Sequence, residues 1–548
     1  MARPIVDLGH FNAGGAGLAV TPIPPLHPSP ATRHPEDCLM KKTPPRTLIR
    51  PLLRRGAVAL AAAACGAAAW AHTPEATIQR VWQYAHAATQ VPGQKAEIVA
   101  HDDRTDTLWV AGVAGVDVLD RATGTLVAHV GVTAFGAVNS VAIHDGLAAL
   151  AIENAQDRTL PGVVVFFDTR TRSQRGAPVG VGALPDMLTF TPDGRHVLVA
   201  NEGTPNPRPV AAGLGDADPV GSVSLIDVRT RAVTTLAIDA AIPGYETLRL
   251  FPATGSQPWQ PATYSAYDPE PEYIAVDPSG DRAYVTLQEA NGVAVLDLRG
   301  RRFERILPLG TKDFALPGNA IDPSDRDGRM ELRNVPVLGL YQPDTVAAYV
   351  ARGRTWLVMA NEGDSRDNGN ADGEDERRGG AGSGVAELVP DSSELARLTL
   401  SNVDSVKGGP LVKFGAHSFS IRDTAGRIVF DSGDRLDREA MRLGIYDDGR
   451  SDNKGVEPEG LALLHIEGRT LAFVGLERTL KAAVAVFDVT DPLDVLYLDM
   501  IIGDGDLAPE GLAAFKAGSR HYLAVASEVS DTTSLYEIRI DKSQAPAR

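Results

Sequence analysis

The sequence predicts an all-β fold, a seven-bladed β-propeller of four-stranded antiparallel blades whose ring is closed by an N-terminal strand. Three observations predict it. One phrase recurs along the chain: an acidic residue, an apolar strand, a turn, a second apolar strand and a polar exit usually holding Glu. Each copy is followed by a third strand ending in Asp or Glu and, in most copies, by a fourth, which is the make-up of a propeller blade. The last copy runs out of chain after its third strand, while a spare strand precedes the first copy.

In chain order, residues 1–39 are Pro-rich and patternless and read as an extension or misassigned start. MKKTPPRTLIRPLLRRGAVALAAAACGAAAWA (40–71) then reads as a signal peptide: Lys41, Lys42, Arg54 and Arg55 are its basic region, Gly56 to Ala68 its apolar core, and Ala69-Trp70-Ala71 its cleavage site. The apolar run is too short for a spanning helix, and no later segment is long and apolar enough to cross a bilayer. Residues 72–548 are therefore expected to form one exported domain, periplasmic or extracellular, soluble and monomeric.

ATIQRVWQY (76–84) is the spare strand, expected to complete the last blade and hide two sheet edges. The first two repeats are weak: AEIVAHDDRTDTLWVAGVAG (96–115) and NSVAIHDGLAALAIEN (139–154). Five clear ones follow: PDMLTFTPDGRHVLVANEG (185–203), PEYIAVDPSGDRAYVTLQEAN (271–291), PDTVAAYVARGRTWLVMANEG (343–363), PEGLALLHIEGRTLAFVGLER (458–478) and PEGLAAFKAGSRHYLAVASEV (509–529). Third strands run from VDVLD (116–120) to SLYE (534–537), and outer strands include GTLVAHV (124–130) and GRIVFD (426–431).

Antiparallel pairing of the first two strands puts the start of one beside the end of the other. The opening positions Glu97, Asn139, Asp186, Glu272, Asp344, Glu459 and Glu510 are thus expected to crowd one mouth of the channel with the exit residues Glu153, Glu202, Glu289, Glu362, Glu477 and Glu528. Like charges about 5 Å apart repel by roughly 3 kcal/mol at an effective dielectric of 20, so protons, basic residues or a hard cation must compensate. Oxygen ligands without His or Cys favour calcium, with magnesium the alternative. The competing reading is structural: a repeated acid before a strand accepts backbone hydrogen bonds and locks a turn.

The charge balance supports cations as partners. The chain has 53 Lys+Arg against 70 Asp+Glu, and residues 1–71 hold eight basic side chains against three acidic ones, so the remainder is more acidic than the whole. Such a surface repels nucleic acid and anionic membranes. Cys38 and Cys65 both precede the expected cleavage, leaving no disulfide to hold the exported fold.

Insertions at Gly203–Gly221, Pro308–Gln342 and Arg366–Gly384 are long enough to be functional or mobile. Asp322, Asp325, Asp327 and Gly328 partly match a calcium loop but lack its spacing and closing Glu, and read as a polar turn. His417 reads as a packed, hydrogen-bonded histidine. There is no G-x-S-x-G, H-E-x-x-H, phosphate-binding G-x-x-x-x-G-K or dinucleotide motif.

The phrases GALPDMLTFTPDGRHVLVANEG, EPEYIAVDPSGDRAYVTLQEAN, LPGNAIDPSDRDG, YQPDTVAAY, ANEGDSRD, FSIRD with VFDSGD, and SDNKGVEPEGLAL with FVGLERT resemble the choice-of-anchor I family over essentially the whole chain after residue 71. That family is similar to atypical alkaline phosphatases and mesenchyme-specific cell-surface glycoproteins, and the resemblance implies an extracytoplasmic propeller. This chain departs from it in its short polar tail DKSQAPAR, in Val220 where relatives carry an acid, and in a shortened stretch between FDSGD and SDNKG.

Two functions are consistent with these readings. The first is a calcium-dependent phosphoesterase acting on a small phosphorylated substrate, with Glu272, Glu289, Glu362, Asp364, Glu459 and Glu477 as metal contacts. Arg366, Lys454 or Arg478 would neutralise developing charge, and Asp367 or Glu457 would serve as general base. The second is a non-catalytic propeller that binds a ligand or surface partner and uses calcium structurally.

Overall fold

The computed structural model describes residues 76–204, 219–250, 269–366, 375–380 and 387–540. The expected extension and signal segment, Asp367 and the polar tail lie outside these residues. Within them are seven four-stranded sheets, one three-stranded sheet and one two-stranded sheet. No helix among the described residues is long and apolar enough to cross a membrane.

The repeats map onto the sheets. PEYIAVDPSGDRAYVTLQEAN supplies strands Pro271–Val276 and Arg282–Leu287, followed by Gly292–Asp297 and Arg302–Pro308, paired in that order. The weak first copy forms Val99–Asp102 and Thr107–Gly112, and the second forms Val138–His144 and Leu147–Ile152. Apolar clusters fill the space between successive sheets. One joins Trp109 and Val118 of the first sheet to Val141 and Leu150 of the second. Another joins Tyr522 and Leu535 of the last sheet back to Leu108 and Leu119 of the first. Removing these faces from water is the main force holding the sheets in cyclic order.

Closure follows the expected route. Strand Ala76–Ala85 pairs antiparallel with Thr532–Ile540, from Ala76 opposite Ile540 to Ala85 opposite Thr532. Just beyond it, His86 is fully buried, with Nδ1 2.7 Å from Asp117 Oδ2 of the first sheet and Nε2 2.8 Å from Thr533 Oγ1 of the last. One side chain thus ties both chain-distant sheets to the closing strand.

Two insertions fold together with the stretch 387–413 that follows the second. Thr311–Asp313, Leu338–Leu340 and Val412–Lys413 make the three-stranded sheet, and Glu376–Arg378 pairs with Thr399–Ser401. Phe314, Ile321, Val337, Leu395, Leu400 and Leu411 share an apolar cluster beneath them. The described part of these insertions is therefore a small packed unit rather than a set of open loops. The strand pattern also missed a helix, Arg435–Leu443, in the shortened stretch. Its polar composition hides a buried stripe of Leu436, Asp437 and Ala440, and Arg435 with Glu439 and Arg438 with Asp434 form spaced ion pairs along it.

Glycine after the repeated acid lets neighbouring inner strands approach. A Cβ at Gly511 would lie 2.2 Å from the Glu97 carbonyl oxygen, whereas one at Gly180 would meet nothing within 4 Å. Gly511→Ala is expected to destabilise the fold by about 1 to 3 kcal/mol, because backbone cannot yield as a flexible side chain does. Gly180→Ala in the same urea unfolding assay is expected to stay close to the parent.

Candidate functional site

The site begins with a backbone irregularity. Pairing slips between Pro185 and Leu188, Pro271 and Ile274, Pro458 and Leu461, and Pro509 and Leu512, so two inner-strand residues face one on the neighbouring strand. The bulged pairs are Asp186 with Met187, Glu272 with Tyr273, Glu459 with Gly460, and Glu510 with Gly511. In the second sheet the extra residue is Asn139. A β-bulge re-aims its side chains. Leu184, Glu457 and Ala508, each just before the proline, have φ of 44°, 49° and 57°. Their carbonyls accept the amides of Glu202, Glu477 and Glu528, each at 2.9 Å. That bond sets each exit glutamate beside an opening acid.

The result is a cavity of about 880 Å³ lined by Asn139, Asp186, Glu272, Asp344, Glu459 and Glu510 from the openings and by Glu202, Glu289, Glu362, Glu477 and Glu528 from the exits. Glu97 and Glu153 are not in the lining. Turn locking belongs to a different set of acids, at the ends of third strands. Asp120, Asp168, Asp227 and Asp297 accept backbone amides from Thr123, Thr171, Thr230 and Gly300 at 2.7 to 2.9 Å. Among the described residues, no such backbone bond reaches Asp186, Glu272, Glu459 or Glu510.

Burial and mutual repulsion raise the mouth carboxyls. Burial first, then Glu202, Glu289 and Asp186, pushes Glu272 well above the usual range. Burial with Glu477, Glu362 and Glu510 does the same to Glu459, whose Oε2 is shut off from solvent without a hydrogen-bond partner among the described residues. Asp344 and Glu477 are each pushed up to about 8, by burial and then by Glu362. Glu457 goes the other way. Burial works against its charge, but Lys454, Arg450 and Arg478 outweigh burial and hold it below the ordinary glutamate range.

Lys454 is the centre of this compensation. Its Nζ lies 3.1 Å from Glu362 Oε1, 3.2 Å from Glu457 Oε2 and 3.3 Å from Asp364 Oδ1. Gln288 donates to the other oxygen of Glu362 at 2.8 Å. Arg478 bridges Glu477 at 2.5 Å and Glu457 at 4.0 Å. One carboxylate oxygen each from Glu362, Glu457 and Glu477 lie within 4.8 Å of one another, a spacing that can hold a metal ion.

The structure thus brings together Glu272, Glu289, Glu362, Asp364, Glu457, Glu459, Glu477, Lys454 and Arg478 in one lining. Arg366 is not itself in the lining, but its buried guanidinium pairs at 2.6 Å with Glu270, which is. Asp367 falls outside the described residues. Sequence reasoning missed Arg450, which donates to Glu457 from Nε at 3.0 Å and from Nη2 at 2.5 Å. Its position one turn before Lys454 in GRSDNKG was the available signal. It also missed Glu270, the first acid of the PEPE doublet, and Gln288.

Two outcomes follow. Lys454→Met strips charge from three carboxylates, two of them buried, and is expected to cost about 3 to 5 kcal/mol in urea unfolding. The raised carboxyls hold protons more tightly folded than unfolded. Their stabilisation is therefore full below the ordinary range near 4.5 and is lost as pH rises through about 8. Without divalent cations the melting temperature is expected to fall across that window, with Glu457 opposing the trend only at its acid end.

Comparison with known proteins places this geometry in a family. Over 323 residues the chain is 26% identical to a mesenchyme-specific cell surface glycoprotein of Strongylocentrotus purpuratus, covering 49% of this chain and 40% of the relative. The chain thus spans well under half of that protein's length. Among solved structures, Kuenenia stuttgartiensis hydrazine synthase gives a TM-score of 0.46 at 12% identity, covering 82% of this chain and 97% of that one. The Swd1 β-propeller domain of Myceliophteria thermophila gives 0.40 at 10% identity, covering 81% and 97%. The choice-of-anchor I domain matches residues 97–492, which include every carboxylate and cation of the central cluster except those contributed by the last sheet, and the chain belongs to that family.

Proposed function

We propose that this chain is an exported seven-bladed β-propeller whose acidic mouth takes a divalent cation, calcium before magnesium, and that a small phosphorylated substrate is hydrolysed there. The observation that carries the reading is the convergence of Glu362, Glu457 and Glu477. The donor set is oxygen only, which suits a hard cation, and the orphaned Glu459 Oε2 beside it is a further acceptor seeking positive charge. A bound dication supplies charge to polarise a phosphoryl oxygen and a water.

The chain's own groups provide the proton chemistry. Glu457, held ionised by Lys454, Arg450 and Arg478, can take a proton from the attacking water. Glu477, raised to about 8 by burial and Glu362 with no cation bound, would give up that proton on joining the ligand set. The choice of a phosphate ester rests on the resemblance to atypical alkaline phosphatases, which is an analogy and not a property of the fold.

A second reading, a non-catalytic propeller that binds a ligand through structural calcium, is favoured by one feature. Lys454, Arg450 and Arg478 each already face a carboxylate, so a phosphoryl group would compete for them.

Hydrolysis of a generic aryl phosphate by the purified protein, with calcium added and then chelated, decides between the two. Chelator-sensitive turnover, lost in Glu457→Gln by about 100-fold or more as expected for a general base, establishes the enzyme. Cation binding without turnover under any divalent metal establishes the binding propeller. Glu477→Gln is expected to weaken calcium binding at the mouth in calorimetry, and unchanged affinity would remove Glu477 from the cation set.

A further inference from the structure

The strands whose exits build the mouth begin at its far side. Strand Arg354–Asn361 runs into Glu362, and strand Arg282–Leu287 runs into Gln288 and Glu289, so their first residues lie roughly 20 Å from the mouth at the ordinary rise of a strand. There a groove of about 520 Å³ separates the two sheets, and its lining sets four arginines, Arg282, Arg305, Arg354 and Arg427, against two acids, Asp277 and Asp423. Its size is that of a small-ligand site. In a chain with 70 acidic side chains against 53 basic ones, the excess of arginine here runs against the general balance.

Three of the arginines are held in place. Arg282 donates to Glu304 from Nε at 3.0 Å and from Nη2 at 3.1 Å. Arg305 reaches across to the neighbouring sheet and donates from Nη2 to the Thr424 carbonyl at 2.8 Å, with Nη1 3.5 Å from Glu304. Arg427 turns back on Asp423, with Nε at 2.8 Å and Nη2 at 2.7 Å. Arg354 differs. It is exposed at the start of its strand and has no ion pair or hydrogen bond from its guanidinium among the described residues. Even when Glu304, which is not in the lining, is counted, four guanidiniums meet three carboxylates, and Arg354 carries the excess charge. Tyr284 adds a neutral donor to the lining: it is 1% exposed, and burial followed by Asp277 pushes its hydroxyl up to about 12.

We propose that this groove is an anion site, which binds a phosphate or sulfate group through Arg354 with Arg282, Arg305 and Arg427 as oriented neighbours. Guanidinium N–H groups match the oxygens of such anions in pairs, and side chains already fixed by neighbours lose little freedom when the anion arrives. The groove is much larger than a bare phosphate or sulfate ion, which leaves room for the organic body of an ester beside Trp356, a further lining residue. The site lies outside the mouth and needs no cation there.

The test is calorimetric titration of the full chain with inorganic phosphate, inorganic sulfate and glucose 6-phosphate, with a chelator present so that no divalent metal occupies the mouth. Arg354→Met is expected to weaken binding about tenfold or more, as loss of a charged hydrogen-bond donor does. Because Arg354 makes no ion pair, the variant is expected to melt with the parent. Arg520→Met, which removes an arginine of the last sheet lying 3.3 Å from Glu537, is expected to bind as the parent does. Tighter binding of glucose 6-phosphate than of either bare ion assigns the groove to a small ester, and equal binding assigns it to the free oxyanion. The proposal is overturned if none of the three binds, if Arg354→Met binds them unchanged, or if Arg520→Met weakens them as much, since the attraction would then be diffuse surface charge.

Discussion

The mouth of this protein follows from a β-bulge at the start of its inner strands. An extra residue opposite one partner turns Asp186, Glu272, Glu459 and Glu510 into the channel rather than into a sheet face. The glycine behind the last two allows the neighbouring strand to pass at backbone distance. The left-handed residue before the proline offers its carbonyl to the exit glutamate. Because the same local geometry is repeated around the ring, the acids it aims inward meet at one place. No single sheet would bring more than two of them together.

That convergence creates an electrostatic problem which the structure resolves unevenly. On one side, Lys454, Arg450 and Arg478 neutralise Glu362 and Glu457. On the other, Glu272, Glu459 and Glu510 have no comparable cation in contact among the described residues, and burial drives them toward the protonated form. The cavity is therefore polarised: a charged, ion-paired sector faces a sector of carboxylic acids. A dication bound there would have to displace protons from the second sector, which would make its affinity depend on pH.

The cationic sector depends on segments outside the repeat. Arg450 and Lys454 sit in a loop held from below by Asp452, which receives Arg378 at 2.5 Å and Arg397 at 3.0 Å from the packed insertions. The helix Arg435–Leu443 adds Asp437, whose carboxylate meets buried His417 at 2.8 Å and lies 3.4 Å from the Val456 amide beside Glu457. Insertions, helix and loop thus act as scaffolding for three side chains. His417 is the packed, hydrogen-bonded histidine that its sequence context suggested.

Much of this was legible in the chain itself. Strand alternation, turn residues and a repeated Pro-acid phrase are short-range signals, and they determined the seven sheets' strands, the closing strand Ala76–Ala85 and the gathering of Glu272, Glu289, Glu362, Glu459 and Glu477. What tertiary structure alone decided is which charges meet. Arg366 and Lys454 look equivalent beside acidic motifs, yet one stands behind the mouth on Glu270 while the other lines it and contacts Glu362, Asp364 and Glu457. Local sequence encodes backbone form over a few residues, whereas ion pairing depends on distances of a few ångströms between segments far apart in the chain, and only the closed ring sets those distances.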